Sequence, residues 1–267
     1  MTTSSPTAVR KAFSNRFGGA SAGPYESFNL GSHVGDDPAA VRANRSRLAA
    51  VLGVDTLVFM EQIHSPTVTE VTAQHLRDRR PLGDSAEGVS EVLVETTDAL
   101  ITTVPDIALV VLTADCVPLL LSDDSTGVIA AVHAGRMGAR NGIVARTVAR
   151  MVELGAAEGN IHALMGPAAS GDHYEVPEAM AADVEARLPG SRTRTTRGTP
   201  GLDIRSGISR QLSSLGVRTV DVDPRCTIAD HDYFSYRRDG TTGRQAGVVW
   251  LDSRGAQSGG GHSRGAQ

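Results

Sequence analysis

Lysine is almost absent from this sequence: Lys11 stands alone against 25 arginines. A skew that wide reflects overall composition, so an individual arginine is weak evidence for an anion site. Cysteine is nearly as scarce, with only Cys116 and Cys226. Two thiols exclude a disulfide-stapled scaffold, and a reducing compartment leaves both free for metal binding or catalysis. No apolar run approaches the ~20 residues of a membrane span, which excludes insertion by a helix. The start, Met1-Thr2-Thr3-Ser4-Ser5-Pro6, has neither the charged nor the apolar region of a secretory signal. A cytoplasmic location is the expected default. Nor is there an excess of positive charge: the net charge is −4, which gives no general attraction to nucleic acid.

What remains is an ordinary globular composition, 40% hydrophobic and 21% charged over 267 residues, enough for a large buried core. No internal linker is evident, so the chain reads as one domain over 13–251, with a flexible N-terminus over 1–12 and a low-complexity tail over 252–267. Ser-Arg-Gly-Ala-Gln occurs twice in that tail around a Gly-rich spacer. Asp36 or Asp37 caps a helix with Pro38 in its first turn, running through Val41, Leu48 and Val51 to Gly53. Thr56 to Met60 reads as a strand that Thr67 to Val71 continues. Residues 77–88 and 189–200 read as exposed loops. The runs 107–112, 117–121 and 128–132 are continuous and apolar, as strands covered on both faces are. A helix from about Asn141 to Leu154 places Ile143, Val144, Thr147, Val148 and Met151 on one side. Further strands are expected at 161–165, 217–222 and 246–251, and helices at 177–188 and 202–215.

Cys116 and His133 lie in two of the apolar runs, on either side of the turn-like stretch Asp123-Asp124-Ser125-Thr126-Gly127. If those runs form a hairpin centred near Asp124 or Ser125, positions 116 and 133 fall opposite one another to within a residue, with Cβ atoms about 5 Å apart. A cysteine in an apolar strand often does no more than pack. Here, however, Asp115 and Pro118 interrupt the strand at the same point, and a local conflict of that kind marks a functional site. His64, in Glu61-Gln62-Ile63-His64-Ser65-Pro66, carries no spacing signature of its own. Joined to the other two it completes a Cys/His/His set, the form of a zinc site that keeps one position open for chemistry.

Several ordered motifs, Gln62-Ile63-His64, Ala114-Asp115-Cys116-Val117-Pro118, His133-Ala134-Gly135 and Cys226-Thr227 followed by Phe234-Ser235-Tyr236-Arg237-Arg238, resemble the laccase-domain family, the YfiH-like or polyphenol oxidase group. The likeness runs from about Asn15 to Leu251. It implies an α/β (α+β) layered sandwich with a mixed β core and flanking helices, and a zinc ion on His64, Cys116 and His133. It also implies purine nucleoside chemistry: phosphorolysis of adenosine, inosine and methylthioadenosine, and deamination of adenosine. A nucleoside and phosphate are then the small-molecule partners. Arg16, Arg237 and Arg238 are candidate phosphate or substrate contacts, with Asn29 as a polar contact. Asp115 is a general acid or base, or orients a metal ligand. One departure stands out. Where the family reads His-Ala-Gly-Trp-Arg-Gly, this chain has His133-Ala134-Gly135-Arg136-Met137-Gly138, losing a stacking ring and moving a charge, for which Arg136 or Arg140 is a candidate replacement.

Three other functions compete. A copper oxidase, as the family's older name suggests, would need clustered histidines, and this chain has no His-x-His pair. A metal-free cysteine hydrolase would use Cys116 as nucleophile and His133 as base, which fits the name peptidoglycan editing factor given to bacterial members of the family. A non-catalytic nucleoside or metal binder is the third.

Overall fold

A strand with apolar residues at both odd and even positions needs a cover on each face. Ile107–Thr113, Val117–Asp123 and Val128–Ala134 are buried at every position. The computed structural model, which describes residues 8–82 and 88–254, supplies both covers. Two six-stranded mixed sheets lie face to face, with helices on the outer sides.

In chain order the strands and helices are β1 (Ala8–Phe13), α1 (Pro38–Leu52), β2 (Thr56–Met60), β3 (Val68–Glu70), β4 (Arg80–Pro81), β5 (Ser90–Val94), β6 (Ala99–Thr102), β7 (Ile107–Thr113), β8 (Val117–Asp123), β9 (Val128–Ala134), α2 (Arg136–Arg140), α3 (Ile143–Glu153), β10 (His162–Met165), α4 (Glu178–Arg187), β11 (Arg192–Arg194), β12 (Pro200–Leu202), α5 (Ile204–Ser214), β13 (Thr219–Val222), α6 (Tyr236–Asp239) and β14 (Gln245–Asp252). The first sheet runs β1-β14-β7-β2-β5-β4 and the second β13-β10-β8-β9-β6-β3. Side-chain parity divides the core into layers. Leu119 and Leu121 of β8 join Val144, Val148 and Met151 of α3, whereas Leu120 joins Val111 of β7 and Val249 of β14 between the sheets. Leu57 and Phe59 of β2 meet Leu48 and Ala49 of α1, while Val58 and Met60 turn to the inter-sheet layer. Among the described residues no helix is long and apolar enough to cross a membrane.

α1 begins and ends on the signals the sequence carries. Asp37 accepts from Ala39 N, Pro38 occupies the first turn, and Gly53 closes the helix at φ 68°. Its inward face is Val41, Asn44, Arg45, Leu48 and Ala49, while Val51, in the last turn at the edge of that face, is exposed. α3 buries the five expected residues.

Elsewhere the structure corrects the reading. Residues 8–12, expected to be flexible, form β1 on the edge of the first sheet against β14. Residues 1–7 and the repeat-bearing tail from 255 lie outside the described residues. β3 does not extend β2 but belongs to the other sheet. Within 77–88, Arg80–Pro81 pairs with β5 and Leu82 is buried, while 83–87 lie outside the described residues. Within 189–200, Arg192–Arg194 pairs with Pro200–Leu202.

The continuous stretch from Ile107 to Asp123 is two strands in two sheets. The chain leaves the first sheet at Thr113 and enters the second at Val117, turning at Asp115 with φ 99°. β2 to β3 and β5 to β6 make the same change of sheet, through residues 61–67 and 95–98. Each passage holds a non-glycine residue at positive φ: His64 (59°), Thr96 (53°) and Asp115 (99°). Such backbone is uncommon outside glycine and persists only where its surroundings hold it.

The β8–β9 hairpin is real, but its register is two residues from the expected one. Pro118 faces His133 and Asp123 faces Val128, because the loop holds four residues and closes with Gly127 N donating to Asp123 O at Gly127 φ 70°. Cys116 therefore lies beyond the end of β8, level with Gly135. An even shift preserves the face, so Cys116, Pro118 and His133 still point the same way.

Candidate metal centre

Two of the changes of sheet, at 61–67 and 95–98, meet the end of β9 at one carboxylate. Asp98, fully buried just before β6, accepts from His64 N (3.0 Å) and His133 Nδ1 (2.8 Å) on one oxygen. Its other oxygen accepts from Ser65 N (2.6 Å), Ser65 Oγ (2.8 Å) and Ile63 N (3.3 Å). Its backbone carbonyl takes His133 N (2.8 Å). Gln62 fixes the same segment to the end of β7, exchanging two hydrogen bonds with the Leu112 backbone. His64 is thereby presented on a held turn, with its ring 4.7 Å from that of His133 and edge-on to it.

Sγ of Cys116 lies 3.9 Å from His64 Nε2, and the ligand atoms of His64, Cys116 and His133 are all within 4.8 Å of one another. Ligands of a tetrahedral zinc stand roughly 3.3–3.6 Å apart, as its bond lengths require. Small side-chain rotations close the difference. The donor set, one thiolate and two imidazoles, suits a borderline-soft divalent metal. Gly135 keeps the space clear: a Cβ there would meet Cys116 Sγ at 2.9 Å and His64 Cδ2 at 3.0 Å. Its φ of −70° is open to any residue, so space and not backbone freedom demands the glycine.

The electrostatics are those of a charged pair held by a third group. Burial alone would raise the Cys116 thiol, but the charge and hydrogen bond of His133, with a smaller contribution from His64, bring it down to about 6. Burial opposes a charge on His133 too, yet the Cys116 thiolate and Asp98 raise it to about 9. Asp98 is itself buried, but the hydrogen bonds from His133 and Ser65 outweigh that and hold it below the usual carboxylate range. An ionised Asp98 can only accept, so Nδ1 of His133 is the donor and Nε2 is left for the centre.

Beside Cys116 opens a cavity of about 140 Å³, walled by Ala114, Arg136, Tyr174, Tyr236 and Arg237 among others. Of the expected contacts, Arg237 reaches it, with its guanidinium 4.9 Å from the Tyr174 ring centroid and one N–H on Glu175 O. Arg16, Arg238 and Asn29 do not line it. Arg16 donates to Glu26 O and stacks on Phe234. Arg238 is spent on Asp239 and on the carbonyls of Thr227, Ile228, Asp230 and Tyr233. Asn29 is buried and saturated by Gly31, Asp36 and Arg244. All three are needed by the loops they brace.

Asp115 touches neither histidine. It accepts from Thr227 Oγ1 (2.7 Å) and Arg237 N (2.6 Å), tethering the cavity wall, while Asp98 orients the ligands. Asp98 carried no sequence signal beyond an acidic residue ahead of a buried strand. Arg140 is tied to Asp183 by two hydrogen bonds, which leaves Arg136 as the charge that enters the cavity.

A half-buried Cys/His/His cluster at the seam of a two-sheet α/β sandwich defines a class of protein. The family model described as multi-copper polyphenol oxidoreductase laccase matches residues 10–252, and the chain belongs to that family. It is 65% identical over 245 residues to a purine nucleoside phosphorylase of Corynebacterium glutamicum, covering 91% of this chain and 94% of that protein. A purine nucleoside phosphorylase of Mycobacterium tuberculosis is 52% identical over 246 residues, covering 91% and 92%. Among solved structures, the hypothetical protein YfiH of Bacillus licheniformis superposes with a TM-score of 0.81 at 29% identity, over 91% of this chain and 93% of that one. These names support an enzyme.

Substitution at Gly135 tests the cradle. Gly135→Ala is expected to lower metal affinity about tenfold or more, the scale on which disturbed ligand orientation acts. Competition with a chromophoric chelator measures it, and an unchanged affinity would show that the ligands do not converge there.

Titration tests the pair in metal-free protein. Iodoacetamide should alkylate Cys116 at a rate that rises through a midpoint near pH 6 and stays high above it, because the lowered thiol is thiolate from there upward. The Cys116→Ser protein subtracts Cys226, and a midpoint near 9 would contradict the charged pair.

Proposed function

We propose that this protein is a zinc-dependent purine nucleoside enzyme of the cytoplasm, which phosphorolyses adenosine, inosine and methylthioadenosine and deaminates adenosine. Its partners are small molecules, a nucleoside and inorganic phosphate. The observation that carries this reading is the convergence of His64, Cys116 and His133 in a chain whose relatives bear the name purine nucleoside phosphorylase.

Those three residues would hold the zinc, which when bound supplies Lewis acidity and a water of lowered pKa. The chain's own residues do the positioning. Asp98 fixes the His133 tautomer, and Cys116 is present as thiolate at neutral pH. The cavity walls limit where a substrate atom can lie relative to them. Deamination needs a water oxygen held at purine C6 as ammonia leaves. Phosphorolysis needs a phosphate oxygen held at ribose C1′ as the bond to the base breaks. Both call for a walled space next to an open ligand position.

A second reading rests on the same geometry. Cys116, His133 and Asp98 form a nucleophile–base–orienter series, so a metal-free hydrolase acting on peptidoglycan precursors would use Cys116 directly. Multi-copper oxidation has less support. Among the described residues, His64, Cys116 and His133 form the only cluster of three or more His, Cys, Asp or Glu side chains that could hold a metal, too few for several coppers.

Protein purified without chelator should carry one zinc per chain and consume adenosine, with inosine, adenine and hypoxanthine resolved as products in the presence and absence of phosphate. Cys116→Ala should lose both metal and turnover. Activity that persists in zinc-free wild type would overturn the proposal in favour of the thiolate nucleophile.

A further inference from the structure

The 140 Å³ cavity is lined by two arginines, Arg136 and Arg237, together with Cys116 and with Asp115, whose carboxylate is taken up by Thr227 Oγ1 and the Arg237 backbone N–H. Arg136 is the first residue of α2. Its guanidinium donates to the Met137 sulfur and also acts on the Tyr174 hydroxyl. Arg237 lies over the Tyr174 ring and gives one N–H to Glu175 O. Neither forms a salt bridge with a carboxylate among the described residues. By contrast Arg45, Arg140, Arg150, Arg225 and Arg238 each have one. Within that half-enclosed space the two guanidinium groups repel one another, and a low effective dielectric raises that cost, while the Cys116 and Asp115 side chains of the same lining attract them. A bound anion between the two guanidinium groups adds to that attraction. Guanidinium groups suit a tetrahedral oxyanion through paired N–H donors.

The size of the space selects among anions. At about 140 Å³ the cavity is smaller than the ~300 Å³ lower bound for sites that enclose drug-sized ligands, so a whole nucleotide does not fit inside it. A phosphoryl group does. We propose that Arg136, beside the Tyr174 hydroxyl, and Arg237, over its ring, form a phosphoryl-binding clamp beside Cys116. The clamp holds inorganic phosphate or the phosphoryl end of a pentose 1-phosphate. The inference deepens the nucleoside phosphorylase reading, but its test does not depend on turnover.

Isothermal titration calorimetry of metal-loaded protein with inorganic phosphate, and separately with ribose 1-phosphate, should be run at fixed ionic strength. Arg136→Met and Arg237→Met are each expected to weaken binding about ten- to a hundredfold, the loss that goes with a hydrogen bond to a charged group. Arg140→Met, whose charge is spent on Asp183, should leave it unchanged. Binding of ribose 1-phosphate alone, with the same arginine dependence, would support the clamp and assign it to the ester. Phosphate binding that is indifferent to both arginines would overturn it. Arginine-dependent binding without cleavage of any purine nucleoside would leave the clamp standing and refute the phosphorylase reading.

Discussion

The buried carboxylate of Asp98 is the interaction on which the centre depends. Two sheets that exchange strands must pass the chain between them, and each passage breaks the ladder and leaves backbone N–H groups unpaired at the seam. Asp98 collects three of them, from Ile63, His64 and Ser65, with the Ser65 hydroxyl. Its remaining capacity takes the His133 ring. A neutral amide in its place would offer one oxygen for these donors and set its own N–H groups against the rest. The charge is thus required by local hydrogen bonding before any metal is considered, and the orientation of both histidines follows from it.

Side-chain demands at the seam are met by space as well as charge. Cys116 lies one residue past the positive-φ turn at Asp115, and Asp115 in turn grips Thr227 and Arg237 from the far wall. The same turn therefore delivers the thiol and anchors the cavity. Gly135, at the end of β9, leaves room for the thiol and His64 to approach. The centre is built at strand ends because only there do both sheets present backbone that the ladders have released.

Much of this was legible in the residues. Apolar runs covered on both faces gave the buried strands, Asp37, Pro38 and Gly53 gave α1, and the conflict at Asp115-Cys116-Val117-Pro118 marked the point where the chain changes sheet. The rest depended on contacts distant in sequence. Nothing near Asp98 announces that residues 63–65 and 133 will meet it, since its partners lie 33–35 residues away. Arg16, Arg238 and Asn29 have the chemistry of ligand contacts, yet their hydrogen bonds go to loop backbone and neighbouring side chains, an allocation no local pattern reveals. The hairpin register failed for a narrower reason: loop length sets register, and Gly127 at positive φ lets the turn take four residues.

The centre can be read as a metal site or as a nucleophile with its base, and His64 separates the two. A thiolate nucleophile needs His133 to hold its proton and Asp98 to orient His133, and those two suffice. His64 adds nothing essential to that series. Yet the structure holds His64 at φ 59°, a conformation that costs on the order of 1–3 kcal/mol outside glycine, and fixes the turn around it through Asp98 and the Gln62 clamp. It also leaves position 135 without a side chain, so that the imidazole can stand against the thiol. Strain and space given to a third donor make physical sense where three donors act together, which is what a metal requires and an acyl-transfer triad does not. That asymmetry places the metal-dependent reading ahead of the nucleophilic one.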